Sequence, residues 1–200
     1  AGLADRLVEK IKLKRNKEQK FKQTQGMYVA CGSLNKITEK QVEYAQKNGG
    51  FERIHLTMEQ KLIPEYYKTA AGKHFMESVV ALCREKKKVI VDTFDQDDTK
   101  EEFLKLHQIP KESVRFRISD SHGCIVDEIV SQKTDVTILM TGGDTLMGYM
   151  KKIGCTQIEP LCEIEQGVVV SSIVSGGRSV QVISKSGGFG TEDILCRIAE

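Results

Sequence analysis

The chain has 200 residues, with 30 Lys and Arg against 28 Asp and Glu and a net charge of +2. That balance excludes the global basic field of a nucleic-acid binder, and no apolar stretch of ~18 residues supports a membrane span, nor any leader-like segment secretion. Six cysteines (Cys31, Cys83, Cys124, Cys155, Cys162 and Cys196) form no C-x-x-C pair, which points to reduced, mostly buried thiols of a cytoplasmic protein, not to disulfides or zinc.

Leu3, Leu7 and Ile11 recur every four residues, one face of a helix. The stretch "KIKLKRNKEQKFK" (10–22) carries seven Lys or Arg against Glu18. It reads as a solvated helix end or linker; the alternative is a nucleic-acid or anionic-membrane arm, in which only Phe21 could stack. "MYVA" (27–30) is a short buried strand, broken by "CGSLNK". "TEKQ" (38–41) matches a capping box and predicts a helix to about Asn48, stopped by "NGG". "RIHLT" (53–57) is a second strand, residues 64–88 are mostly helix, and "KVIVDTF" (88–94) is a third strand.

Asp98 with Glu101 opens a further helix, with Pro110 beyond its end, and residues 113–132 are helical. "DVTILM" (135–140) is a fourth strand, nearly continuous in apolar residues, as a strand covered on both faces should be. Leu146, Met147, Met150 and Ile153 then form a helical stripe. "IEPLCEI", "GVVVSSIV" and "SVQVIS" are short strand-like runs, and a last helix begins near Thr191. Strands alternating with helices predict an α/β fold: a mainly parallel sheet with helices on both faces, plus short strands near the C-terminus that could add antiparallel pairs. Such sheets bind ligands at the C-terminal ends of their strands.

Three loops stand at such ends and precede helices: "CGSLN", "TGGDT" and "KSGGFGTED". Helix N-termini present unpaired N–H groups that suit phosphate, and glycine lets the backbone approach it. Each loop has a plainer explanation. Gly142-Gly143 can be a tight turn with Asp144 or Thr145 as N-cap. Phe189 can be tucked into the core, the Ser33 hydroxyl can close a local turn, and Lys185 can be a solvated charge. Neither G-x-x-x-x-G-K-[ST] nor G-x-G-x-x-G is present. His55, His74, His107 and His122 lack ligand spacing, which favours surface or turn roles. Cys31, beside a Gly-Ser turn, could be a thiolate at a positive loop but reads better as a buried strand-end thiol. "DTFDQDD" (92–98) is either a Mg²⁺ site or a polar turn.

"GSLNKITEKQ", "TGGDTLMGYMKKIG", "CEIEQGVVVSSIV" and "ISKSGGFGTEDIL" resemble, in order and spacing, the nucleotide-binding half of the four-carbon acid sugar kinases, over residues 27–200. The resemblance implies an ATP- and Mg²⁺-dependent phosphotransferase of carbohydrate metabolism acting on threonate, erythronate or oxo-tetronate type acids. Ser33 would touch the nucleotide. Gly142, Gly143, Asp144 and Thr145 would meet it at a helix N-terminus, and Gly187 and Gly188 would let the backbone close on it. No catalytic base is assigned. Asn35 stands where the family has a second small hydroxyl residue, and Leu146-Met147-Gly148 stands in place of Ser-Gly.

"AGLADRL" resembles the junction with a preceding sugar-acid domain. Residues 1–24 are thus expected to be a linker helix and 25–200 a nucleotide-binding domain that alone phosphorylates no sugar acid. The expected partners are ATP and, through the other domain, a small sugar acid; neither nucleic acid nor membrane is expected, and a homo-oligomer stays open. The alternatives are a nucleotide- or anion-binding regulatory module without kinase activity and an anion-binding enzyme that uses no nucleotide.

Overall fold

The computed structural model describes residues 21, 23–94 and 99–200. The helix predicted around Leu3 to Ile11, most of the basic stretch, and residues 95–98 of the acidic loop lie outside the described residues. Seven strands, β1 (Gly26–Cys31), β2 (Phe51–His55), β3 (Lys88–Asp92), β4 (Val136–Thr141), β5 (Glu159–Glu165), β6 (Val168–Ser175) and β7 (Arg178–Lys185), form one sheet in the order β2-β3-β1-β4-β7-β6-β5. β2, β3, β1, β4 and β7 pair in parallel; β6 pairs antiparallel with β7 and β5. The expected mainly parallel sheet is present, and the late short strands are its antiparallel extension.

The α-helices are α1 (Lys36–Asn48), α2 (Met58–Leu62), α3 (Ala70–Arg84), α4 (Lys100–Leu106), α5 (Val114–Ser131), α6 (Gly143–Lys152) and α7 (Ile194–Ile198). Both faces of the sheet are covered, as the apolar run of β4 required. On one face, Tyr28, Ala30, Ile138 and Met140 pack with Val79 and Val80 of α3, Ile125 and Ile129 of α5 and Tyr149 of α6. On the other, Val29, Cys31 and Leu139 pack with Val42 and Ala45 of α1 and Ile194 and Leu195 of α7. Full burial of each Val, Leu, Ile or Met side chain among these stabilises by about 1.5–3 kcal/mol.

Several local expectations are corrected. Thr38 and Gln41 form no capping box: α1 starts earlier, with Asn35 as N-cap accepting from the Ile37 amide at 2.8 Å. Thr38 and Gln41 therefore fall on the inner face of the helix and turn to another loop. A capping box does occur at Thr57 and Gln60, opening the five-residue α2, too short to stand out as a periodic pattern. Residues 64–88 divide into a short 3₁₀ turn (Pro64–Lys68), α3 and the start of β3. β2 lies two residues earlier than predicted because Phe51 pairs with Lys88. α7 begins at Ile194, not near Thr191. Met147 is 62% exposed and leaves the predicted stripe; Tyr149, fully buried, replaces it, because α6 meets α5 through Gly148.

Candidate functional site

Parallel pairing sets Asp92, Cys31, Thr141 and Lys185 in register at the C-terminal edge of four neighbouring strands. The loops that leave β1, β4 and β7 consequently emerge side by side. The Gly142 amide donates to the Lys185 carbonyl at 2.9 Å. The Thr38 hydroxyl donates to the Gly187 carbonyl at 2.6 Å, and the Gln41 amide nitrogen donates to the carbonyls of Phe189 and Gly190. These bonds tie the last glycine loop to α1. The loops approach closely: a Cβ on Gly187 would stand 2.9 Å from Ser33 Oγ, and one on Gly32 would stand 2.5 Å from Thr145 Oγ1.

A cavity of about 640 Å³ opens over this edge, lined by Gly32, Ser33, Leu34, Arg115, Gly142, Gly143, Asp144, Thr145 and Met147. Ser33 and the Gly142-to-Thr145 segment therefore share one wall system. Gly187 and Gly188 do not line this cavity; they sit behind it, against Ser33 and Asn35. A separate depression of about 540 Å³ lies at the other end of β4, among Thr134, Asp135 and Arg178, away from the glycine loops.

The α6 terminus is built to leave its donors open. Gly142, at φ +88, is the N-cap and offers no capping side chain. Neither Asp144 nor Thr145 is the N-cap, because the helix already starts at Gly143 and places both in its first turn. The first-turn amides have no intrahelical acceptor. A Cβ on Gly143 would meet nothing within 4 Å, so its backbone faces open space. The Thr145 hydroxyl is buried and donates to the Thr141 carbonyl at 2.8 Å, so only its amide can face a ligand. Asp144 is exposed and lines the cavity, a carboxylate at the positive end of a helix.

Around this edge the other candidate residues are sorted by burial. The Ser33 hydroxyl accepts from the Asn35 amide at 3.2 Å, the local turn that its sequence context suggested. Cys31 is fully buried and its thiol is pushed up to about 12 by burial, the inert strand-end thiol that was expected. All six cysteines are free, but only Cys31 and Cys83 are buried; the other four are partly exposed, against the expectation of mostly buried thiols. Phe189 is not tucked into the core: it is 44% exposed, its ring laid against Gly167. Lys185 is not a solvated charge: it is 1% exposed, donates to the Ser186 carbonyl at 3.0 Å, and burial lowers its pKa to about 8.

His122 departs from the expected surface role. It is fully buried on the inner face of α5, both ring nitrogens lack partners, and burial lowers its pKa to about 4, so it is neutral at pH 7. His55 Nδ1 lies 2.8 Å from Asp92 Oδ1, and Arg53 Nε donates to Asp92 Oδ2 at 2.7 Å. The sequence alone does not reveal this cluster around the buried Asp92, because the β2–β3 register that sets His55 opposite Asp92 is not written in either strand alone. Among the described residues no three His, Cys, Asp or Glu side chains group as metal ligands.

Residues 28–195 match the family described as the nucleotide-binding C-terminal domain, and the chain belongs to that family. Two solved structures share the fold. A protein of Haemophilus influenzae is 22% identical, with a TM-score of 0.64 over 90% of this chain and 41% of its own. A domain of unknown function from Bordetella bronchiseptica, crystallised as a domain-swapped dimer with bound citrate, is 16% identical, with a TM-score of 0.63 over 87% and 40%. This chain therefore spans about two fifths of each of those proteins. Among curated proteins none matches. No helix among the described residues is long and apolar enough to cross a membrane.

Proposed function

We propose that this chain is the ATP-binding C-terminal domain of a kinase that phosphorylates four-carbon sugar acids of the threonate, erythronate or oxo-tetronate type. The observation that carries this reading is the uncapped first turn of α6, with Gly143 facing open space, beside the Ser33 loop and backed by the Gly187 loop on adjacent strands. The amides of Gly143, Asp144 and Thr145 would hold phosphate oxygens, and the Ser33 hydroxyl would donate to another. Gly187 and Gly188 would keep the backbone of the third loop close to Ser33. Mg²⁺, when bound with the nucleotide, would neutralise charge on the phosphates; one or two protein carboxylates suffice for it, and Asp144 is the cavity-lining carboxylate that fits that role.

Phosphoryl transfer depends mainly on positioning and charge stabilisation, so a domain of this kind contributes by fixing the phosphates while the acceptor hydroxyl is brought to them. The remaining three fifths of the relatives' length leaves room for the part that would hold the sugar acid. The domain-swapped Bordetella relative supports a homo-oligomer, and six free cysteines support a cytoplasmic setting.

Calorimetry with ATP or ADP and Mg²⁺ is expected to show binding to the wild-type chain. Gly143→Val is expected to weaken it at least about tenfold, because a branched side chain would occupy the space the ligand needs. No atom lies within 4 Å of a Gly143 Cβ, so the added branch point meets no clash, and an unchanged melting temperature is the accompanying control. Unchanged affinity in Gly143→Val would remove the α6 terminus from the site. The full-length protein, given ATP and a panel of tetronates, is expected to form phosphorylated acid. Nucleotide binding without any product would instead establish the regulatory-module reading.

A further inference from the structure

We propose that Arg115 grips the outermost phosphate of the bound nucleoside triphosphate, an inference that rests on the nucleotide reading above. α5 and α6 run side by side: Ser119 lies against Gly148, and Lys151 pairs with Asp120 at 3.0 Å. Arg115, one turn before Ser119, thereby flanks the first turn of α6 and lines the same cavity as Ser33 and Gly143. It also lines an adjoining cavity of about 490 Å³ with Lys111 and Phe116, and Gly32 and Leu34 border both. Arg115 stands where the two join.

Its charge is uncommitted. Arg53 is held by Asp92, Arg117 by the Leu62 carbonyl, and Arg197 by Asp193 and Glu165. Among the described residues, the Arg115 guanidinium has no acceptor; it rests over the Phe116 ring, 4.5 Å from the centroid. That stacking restrains a long side chain without using its N–H donors. Asp144 and Glu112 also border the cavities, but among the described ion pairs neither is joined to Arg115. A guanidinium presents a planar fork that matches phosphate oxygens. The backbone amides of α6 are short-reach donors and suit the phosphates nearest the strand ends. Arg115 projects from a neighbouring helix and suits the phosphate farthest out.

The test measures the affinities of AMP, ADP and ATP, with Mg²⁺, for wild type, Arg115→Ala and Arg115→Lys in the full chain. Arg115 is exposed, so both variants are expected to keep the wild-type melting temperature. Arg115→Ala is expected to weaken ATP about tenfold, ADP less and AMP not at all, with partial recovery in Arg115→Lys. The ATP loss is expected to shrink in high salt. Equal affinities in wild type and Arg115→Ala, or an equal loss for all three nucleotides, would overturn the assignment while leaving the nucleotide reading intact. A wild type that binds no nucleotide would overturn both.

Discussion

Gly148→Ala is expected to lower the melting temperature by roughly 6–12 °C, a loss of about 3 kcal/mol for a chain of this size. A Cβ on Gly148 would lie 2.2 Å from the Ser119 carbonyl oxygen and 2.9 Å from Ser119 Cβ. The same crossing brings Gly123 so near that its Cβ would stand 2.6 Å from the Gly148 carbonyl oxygen. Both obstacles are backbone, which cannot rotate away as a side-chain tip can. Alanine is the better helix former by about 1 kcal/mol, so propensity alone would make the variant more stable. The overlap has the opposite sign and is larger, because relieving it means pushing α5 and α6 apart and opening the core around Tyr149 and Ile125. Gly143→Ala, five residues earlier in the same helix, meets no atom within 4 Å and serves as the control: its melting temperature should match or exceed that of wild type. A Gly148→Ala protein as stable as wild type would show that the two helices do not cross at this glycine. The substitution also displaces α6 as a body, so nucleotide affinity is expected to fall with stability.

The strand-end loops were legible because they depend on chain order alone. An apolar run, a glycine break and a helical period, repeated, place each break at the same edge of a parallel sheet. In that way Ser33, the Gly142-to-Thr145 segment, Gly187 and Gly188 could be placed at that edge. What stayed hidden depends on partners distant in the chain. Asn35 and Thr38 are equally good caps by composition; Thr38 is withdrawn from capping by the Gly187 carbonyl, 149 residues away. Gly148 looked like a break from the family's Ser-Gly pattern, and its use became visible only as a contact with Ser119. Arg115 carried no signal beyond a basic residue near a helix start, since its worth lies in which cavity it borders. Lys185 looked solvated because it closes an alternating strand whose face toward the core is not readable at its last position.

Lys185→Met is expected to remove a pH dependence of stability that the wild type shows between about pH 8 and 10.5. Lys185 lies almost wholly out of water, and its ammonium donates to one carbonyl, that of Ser186. Among the described residues no carboxylate pairs with it within 4 Å, and Cys31, the titratable neighbour on β1, is neutral because burial pushes its thiol up to about 12. Burial thus lowers the folded pKa of Lys185 from 10.5 to about 8. Below pH 8 both folded and unfolded chains carry the proton, and the folded state bears the full penalty of the buried charge. Between pH 8 and 10.5 the folded state sheds the proton first, the unfolded state binds more protons, and stability rises with pH. Above 10.5 both states are neutral and the penalty is gone. The gap between the two pKa values corresponds to at most about 3 kcal/mol, reduced by the solvent screening that reaches the ammonium. Methionine fills a similar volume without charge and so avoids that penalty at every pH. Urea denaturation of both proteins at pH 7, 8, 9 and 10 is the measurement. Lys185→Met should be the more stable at pH 7, by up to about 3 kcal/mol less the lost bond to Ser186, and its advantage should vanish as the pH approaches 10.5. The other thiols and lysines titrate in both proteins and cancel in the difference. Two denaturation curves that stay parallel across this range would mean that the folded protein holds Lys185 at its ordinary pKa.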